Sequence, residues 1–170
     1  MKYFLLLLFP LLLNKTSTNE LLAYRKMMDA AVDNSSIAQK MYTSFKSFNE
    51  SESLLMGYRA ISELLMCKHA FNPISKLAHF NKGKKLLEQS IKSAPGNPEL
   101  IFLRYTTQVS VPSLLNYSAN LKTDKNILLI YLKRGITEET DRDLYCRIRE
   151  YLEQSGNLSV NERSTIKNLP

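Results

Sequence analysis

The chain has 170 residues, with 23 Lys and Arg against 16 Asp and Glu, a formal net charge of +7. That balance is too dilute for the dense cationic stripe that nucleic-acid binding requires. Only five glycines are present, which leaves little from which to build a phosphate cradle.

In chain order the first element is an apolar block. It begins at Lys2, runs from Tyr3 to Phe9, passes Pro10 and ends on Leu11, Leu12 and Leu13 before the polar Asn14, Lys15 and Thr16. A membrane-spanning helix needs about 20 apolar residues and a signal h-region about 7 to 15, so the block has signal size. Residues 1–18 are therefore expected to direct export, and residues 19–170 to form a single all-helical domain. No A-x-A site follows, and Thr16 and Thr18 are the nearest small pair, so an uncleaved tether is the alternative. Without Lys2 and Lys15 the count is 21 basic against 16 acidic residues, or +5. That is mildly basic, and compatible with peripheral contact with anionic lipid headgroups.

After this block nearly every segment spaces its apolar residues by three and four, which predicts helices throughout. The first covers about Glu20 to Val32 with Leu21, Tyr24, Met28 and Ala31 inward, and Asp33 to Ser36 breaks it. The second carries Ile37, Met41, Phe45 and Phe48. The polar run Asn49 to Ser53 should cap a third, with Leu54, Tyr58, Ile61, Leu64 and Leu65 as its stripe and Gly57 and Ala60 as small flanking positions. Asn72-Pro73 opens a fourth helix and Asn97-Pro98 a fifth, each pairing a capping Asn with a proline at the first helical position. Leu100 to Leu103 with Tyr105 make the fifth apolar nearly all round, hence central, and Arg104 within it needs a partner, with Glu63 or Glu99 as candidates. A turn with Leu114, Leu115 and Tyr117 leads to a helix from about Asp124 to Arg134. Thr137 or Thr140 should cap the next, running to about Gln154, and Ser159 to Glu162 has the capping-box pattern of a short last helix.

The run from Gly83 through Leu87, Ser90 and Ala94 to Pro95, Gly96 and Asn97 resembles the junction between tetratricopeptide repeats, with Met56, Gly57 and Ala60 resembling the small-residue notch of a repeat's first helix. The interval from Gly57 to Pro95 is 95 − 57 = 38 residues, longer than an ordinary repeat allows, and a second full repeat cannot be traced. The stretch from Gly57 to Leu103 also resembles a group of exported helical proteins of bacteroidetes-type bacteria. The resemblance implies antiparallel helix pairs stacked in a repeat-like array, and brings no active-site residues with it.

No catalytic motif stands out. His69 and His79 lack ligand partners three or four residues away, so no metal site is expected, and no cofactor is implied. Ser164 to Lys167 matches S-x-x-K without its companion motifs. Lys82, Lys84, Lys85 and Lys92 spread around their helix as a solvated face, and the methionines read as core filler. Cys67 flanks a core face while Cys146 lies opposite one, so two free thiols are expected. The expected function is non-enzymatic: an exported module presenting a groove or face to another protein or peptide. The alternative is a small-ligand or lipid binder with an apolar cavity lined by Tyr58, Phe80, Phe102 and Tyr105. Arg104 would be structural if paired inside the core, or the first residue of a site if it points into a groove.

Overall fold

The computed structural model describes residues 16–47 and 52–169. The N-terminal apolar block, Phe48 and the Asn49 to Ser51 part of the expected cap lie outside the described residues. Among the described residues there are eight α-helices and no strand: α1 Thr18–Asp33, α2 Ser35–Lys46, α3 Ser53–His69, α4 Pro73–Ser93, α5 Pro98–Ser110, α6 Leu121–Lys133, α7 Arg142–Gln154 and α8 Val160–Lys167. A single 3-10 turn, Ser113–Leu115, lies between α5 and α6.

The boundaries follow local chemistry. Asn34 ends α1 and caps α2, its side chain accepting from the Ser36 and Ile37 amides. Asn72 and Asn97 cap α4 and α5 ahead of their prolines, as the two Asn-Pro pairs predict. Ser17 and Ser159 each form a complete capping box, with Glu20 and Glu162. Three starts depart from expectation, the first being α6, which begins at Leu121 and not near Asp124. At α3 the N-cap is Glu52, which makes no side-chain cap; its carboxylate instead accepts from the Thr16 hydroxyl. At α7 the cap is Asp141, not Thr137 or Thr140, which close a turn on each other. Glu138 and Glu139 therefore precede the helix, and the Asp141 carboxylate also serves a buried arginine described below.

Neighbouring helices pack as chain-adjacent pairs, most extensively α3 on α4, with α3 also touching α1 and α5. Close approach of α3 and α4 depends on Gly83. A Cβ there would stand 2.7 Å from Leu64 Cγ and 2.9 Å from the Ala60 carbonyl oxygen. One apolar cluster extends from Ala31 to Ile166, with Leu87, Leu100, Leu128, Leu132, Ile148 and Leu152 at 0% exposure marking its centre. Helix α5 is buried from Glu99 through Tyr105. None of the described helices is long and apolar enough to cross a membrane.

Candidate functional site

Two buried arginines organise the polar interior. Arg25 of α1 is 1% exposed and forms a bidentate pair with Glu99 of α5, at 2.7 and 2.8 Å. It also donates to Asp141 at the cap of α7 and to Asp143 in its first turn. Tyr58 of α3 donates its hydroxyl to the same Glu99. A single guanidinium thus joins α1, α5 and α7, and Tyr58 adds α3.

Burial alone would weaken the Arg25 charge, but the hydrogen bonds to Glu99 and Asp141 outweigh it and hold the guanidinium protonated. Burial, and then the negative charge of Glu99, push the Tyr58 hydroxyl well above its ordinary range, so it remains a donor. At Asp141 burial pushes upward, and the hydrogen bonds from Arg25 and the Leu144 amide overcome it, leaving the carboxyl below its ordinary value.

Arg104 repeats the arrangement on the other side of α5. It forms a bidentate pair with Asp124 of α6, at 2.8 and 2.7 Å, and a further bond to Glu88 of α4. Tyr117 donates to Glu88 at 2.6 Å. The hydrogen bond to Asp124 raises the Arg104 pKa despite burial, and burial followed by the Glu88 bond pushes the Tyr117 hydroxyl upward.

The expected partners of Arg104 are therefore replaced. Glu99 is five residues before it on the same helix, too far round the axis to share its face. Glu63, 1% exposed, is taken by His79 and Lys82 of α4. Asp124 and Arg25 are the residues that sequence reasoning missed. Arg25 lies four after Leu21 and three before Met28, a cation on the apolar stripe itself, which was the available signal.

The four aromatic residues expected to line one cavity fall into three separate clusters. Tyr58 stacks on Phe45, Phe80 meets Tyr117 edge-on, and Phe102 and Tyr105 both meet Tyr151. Tyr105 alone borders a cleft, shared with Gln108 and the start of α6. Cys67 is half-buried, Cys146 is exposed, and both are free thiols.

The tip of the α3–α4 pair has the opposite character. Phe71 is 100% exposed, Ile74 79% and Leu77 51%. Ile74 and Leu77 share one face of the first turns of α4, and Phe71 stands in the turn just before them, so the tip presents large apolar side chains to solvent. Beside it Lys68 is engaged by Asp33, and His69 meets the Ala31 carbonyl oxygen at 2.9 Å.

Compared with known proteins, the chain matches no family model, no curated protein and no solved structure.

Proposed function

We propose that this chain is an exported helical-hairpin module, arranged as a tetratricopeptide-like array, which acts by holding another protein or peptide and not by catalysis. The observation that carries the reading is the Phe71, Ile74 and Leu77 knob. Each large apolar side chain left in water forgoes about 1.5–3 kcal/mol of burial, and three on one tip form a contact surface awaiting a partner. Lys68 beside the tip is paired with Asp33, while Lys76 is exposed between Ile74 and Leu77, so the tip suits a protein or peptide that offers an acidic group beside an apolar one.

Support for the array comes from the pairing of chain-adjacent helices. In such an array each pair touches its neighbours alone, whereas the Arg25 cluster brings α1, α3, α5 and α7 together. Here Arg25 also ties α1 directly to α7, so the inner face of the odd helices is filled at that level. The partner is met on the outside, at the tip.

The test places a photo-crosslinking residue at Phe71 in the full chain in its native cell. Protein adducts from the cell envelope, lost when Ile74→Ser and Leu77→Ser are added without change in folding stability, are the expected result. Lipid adducts alone would assign the knob to a membrane, and no adducts would remove the basis of the reading. Export is tested separately: residues 1–25 fused to a reporter active only outside the cytoplasm should give activity, and silence from an expressed fusion would overturn it.

A further inference from the structure

Between α5, the start of α6 and the turn after α7 lies a cleft of about 290 Å³, half open to solvent. That volume is at the small end of the range in which proteins hold organic ligands. Tyr105 and Gln108 line it from α5, Leu121 and Lys122 from α6, and Lys125 with Asn157 from its rim.

The cleft differs from the rest of the interior in its hydrogen bonding. Tyr105 is 1% exposed and Gln108 3%, yet the Tyr105 hydroxyl and both ends of the Gln108 amide have no hydrogen-bond partner among the described residues. The other buried polar heads are satisfied: Tyr145 donates to the Leu132 carbonyl, Ser90 to the Leu87 carbonyl, and the arginine clusters are fully paired. An unpaired buried amide opposes folding, and an apolar side chain of similar size would serve the core better. Three orphaned polar atoms one helical turn apart, against a cleft, are groups that a ligand can satisfy.

The chemistry of that ligand follows from the atoms. A primary amide donates at one end and accepts at the other, so a group that offers C=O and N–H side by side, as a lactam does, pairs with both ends at once. In that pairing Nε2 of Gln108 donates to the ligand carbonyl, Oε1 accepts from the ligand N–H, and the Tyr105 hydroxyl, one turn earlier on α5, is a further unused donor. The three orphaned atoms are covered as they stand, so binding requires the Gln108 side chain to change rotamer toward the cleft that its residue lines. Lys122 is exposed on the same wall, and α6 begins there with no side-chain cap, which presents positive charge to an anion. The Lys125 ammonium, by contrast, is held by the Asn157 carbonyl and Glu162.

We propose that this cleft binds a small carboxylate bearing a lactam-like cis-amide edge, read by the Gln108 amide and neutralised by Lys122. The site stands on observations independent of the Phe71 knob, so either can fail alone.

The test is calorimetric titration of the full chain with L-pyroglutamate, which has both groups, with 2-pyrrolidinone, which lacks the carboxylate, and with proline, which lacks the lactam carbonyl. Pyroglutamate should bind saturably and the other two at least about tenfold more weakly, the loss of one paired interaction. Gln108→Leu should abolish pyroglutamate binding while leaving the unfolding midpoint unchanged or higher, and Tyr105→Phe should weaken binding without loss of fold. Lys122→Gln should weaken pyroglutamate and leave 2-pyrrolidinone as before. Absence of saturable pyroglutamate binding overturns the proposal, as does undiminished binding by Gln108→Leu. A lowered midpoint for Gln108→Leu also overturns it, since the amide would then serve the fold through bridging water.

Discussion

The Arg25 and Arg104 clusters use the same parts to different ends. In each a buried guanidinium takes a carboxylate in a two-pronged grip, further acidic groups complete the pairing (Asp141 and Asp143 for Arg25, Glu88 for Arg104), and a tyrosine hydroxyl donates to one of the carboxylates. Arg104 binds partners 16 and 20 residues away, on α4 and α6, the neighbours of its own helix. Arg25 binds partners 74, 116 and 118 residues away and so joins the beginning of the domain to its end. One cluster reinforces a local stack, and the other closes the whole. Buried ion pairs add little net stability over well-packed apolar groups, but breaking one partner strands the others, so both arginines act more as selectors of arrangement than as sources of energy.

The comparison is tested most severely by removing the charges. Arg25→Met should destabilise by about 4 kcal/mol because it strands the buried Glu99 and removes the arginine from Asp141, while Asp143 keeps Arg147. A urea midpoint follows the loss, and amide exchange in α1 and α7 should quicken together. Equal exchange across all helices would show that the cluster does not clasp the chain ends. Arg104→Met should cost about 3 kcal/mol, and adding Asp124→Asn should restore part of it, since Asp124 is 0% exposed and becomes an unpaired buried charge. Full additivity of the two changes would contradict the pairing.

Removal of the hydroxyls gives a smaller contrast. Tyr58→Phe should cost about 2 kcal/mol and Tyr117→Phe about 1 kcal/mol, because Glu99 is buried whereas the Glu88 carboxylate is partly hydrated. Similar midpoints for the two variants would erase the distinction between the closed and the local cluster. Asn97→Ala should cost about 1 kcal/mol through loss of the bonds to the Glu99 and Leu100 amides, and it loosens the turn that delivers Glu99 to Arg25.

The smallest expected effect is in acid. Asp141 has a lowered folded-state pKa, so its contribution is complete above the ordinary aspartate value of 3.8 and is lost as pH falls from there through the folded value. Stability measured on descending through that window should fall less steeply in Arg25→Met than in the parent, because the bond that lowers the Asp141 pKa is gone. An unchanged slope would separate Asp141 from Arg25 electrostatically.

Local chemistry determined most of the helical framework from sequence alone. The stripes spaced by three and four, the Asn72-Pro73 and Asn97-Pro98 openings and the Ser159 capping box depend on residues within a turn of one another, and they stand where they were expected. The need of Arg104 for a buried partner was legible too, since a guanidinium cannot lose its charge in an apolar run. Which carboxylate answers that need was decided by tertiary packing. Glu99 lies nearer in sequence, but the helix turns it away, toward Arg25, and Asp124 arrives from α6. The start of α7 has the same origin: Asp141 caps it while bonded to a side chain 116 residues earlier, a constraint no local reading of Thr137 or Thr140 contains. The orphaned Gln108 is the extreme case, because a glutamine on a helix is ordinary until the packing of α5 and α6 buries it and supplies no partner. Hydrogen-bond demand is written in residue type, whereas its satisfaction depends on which faces three-dimensional packing brings together.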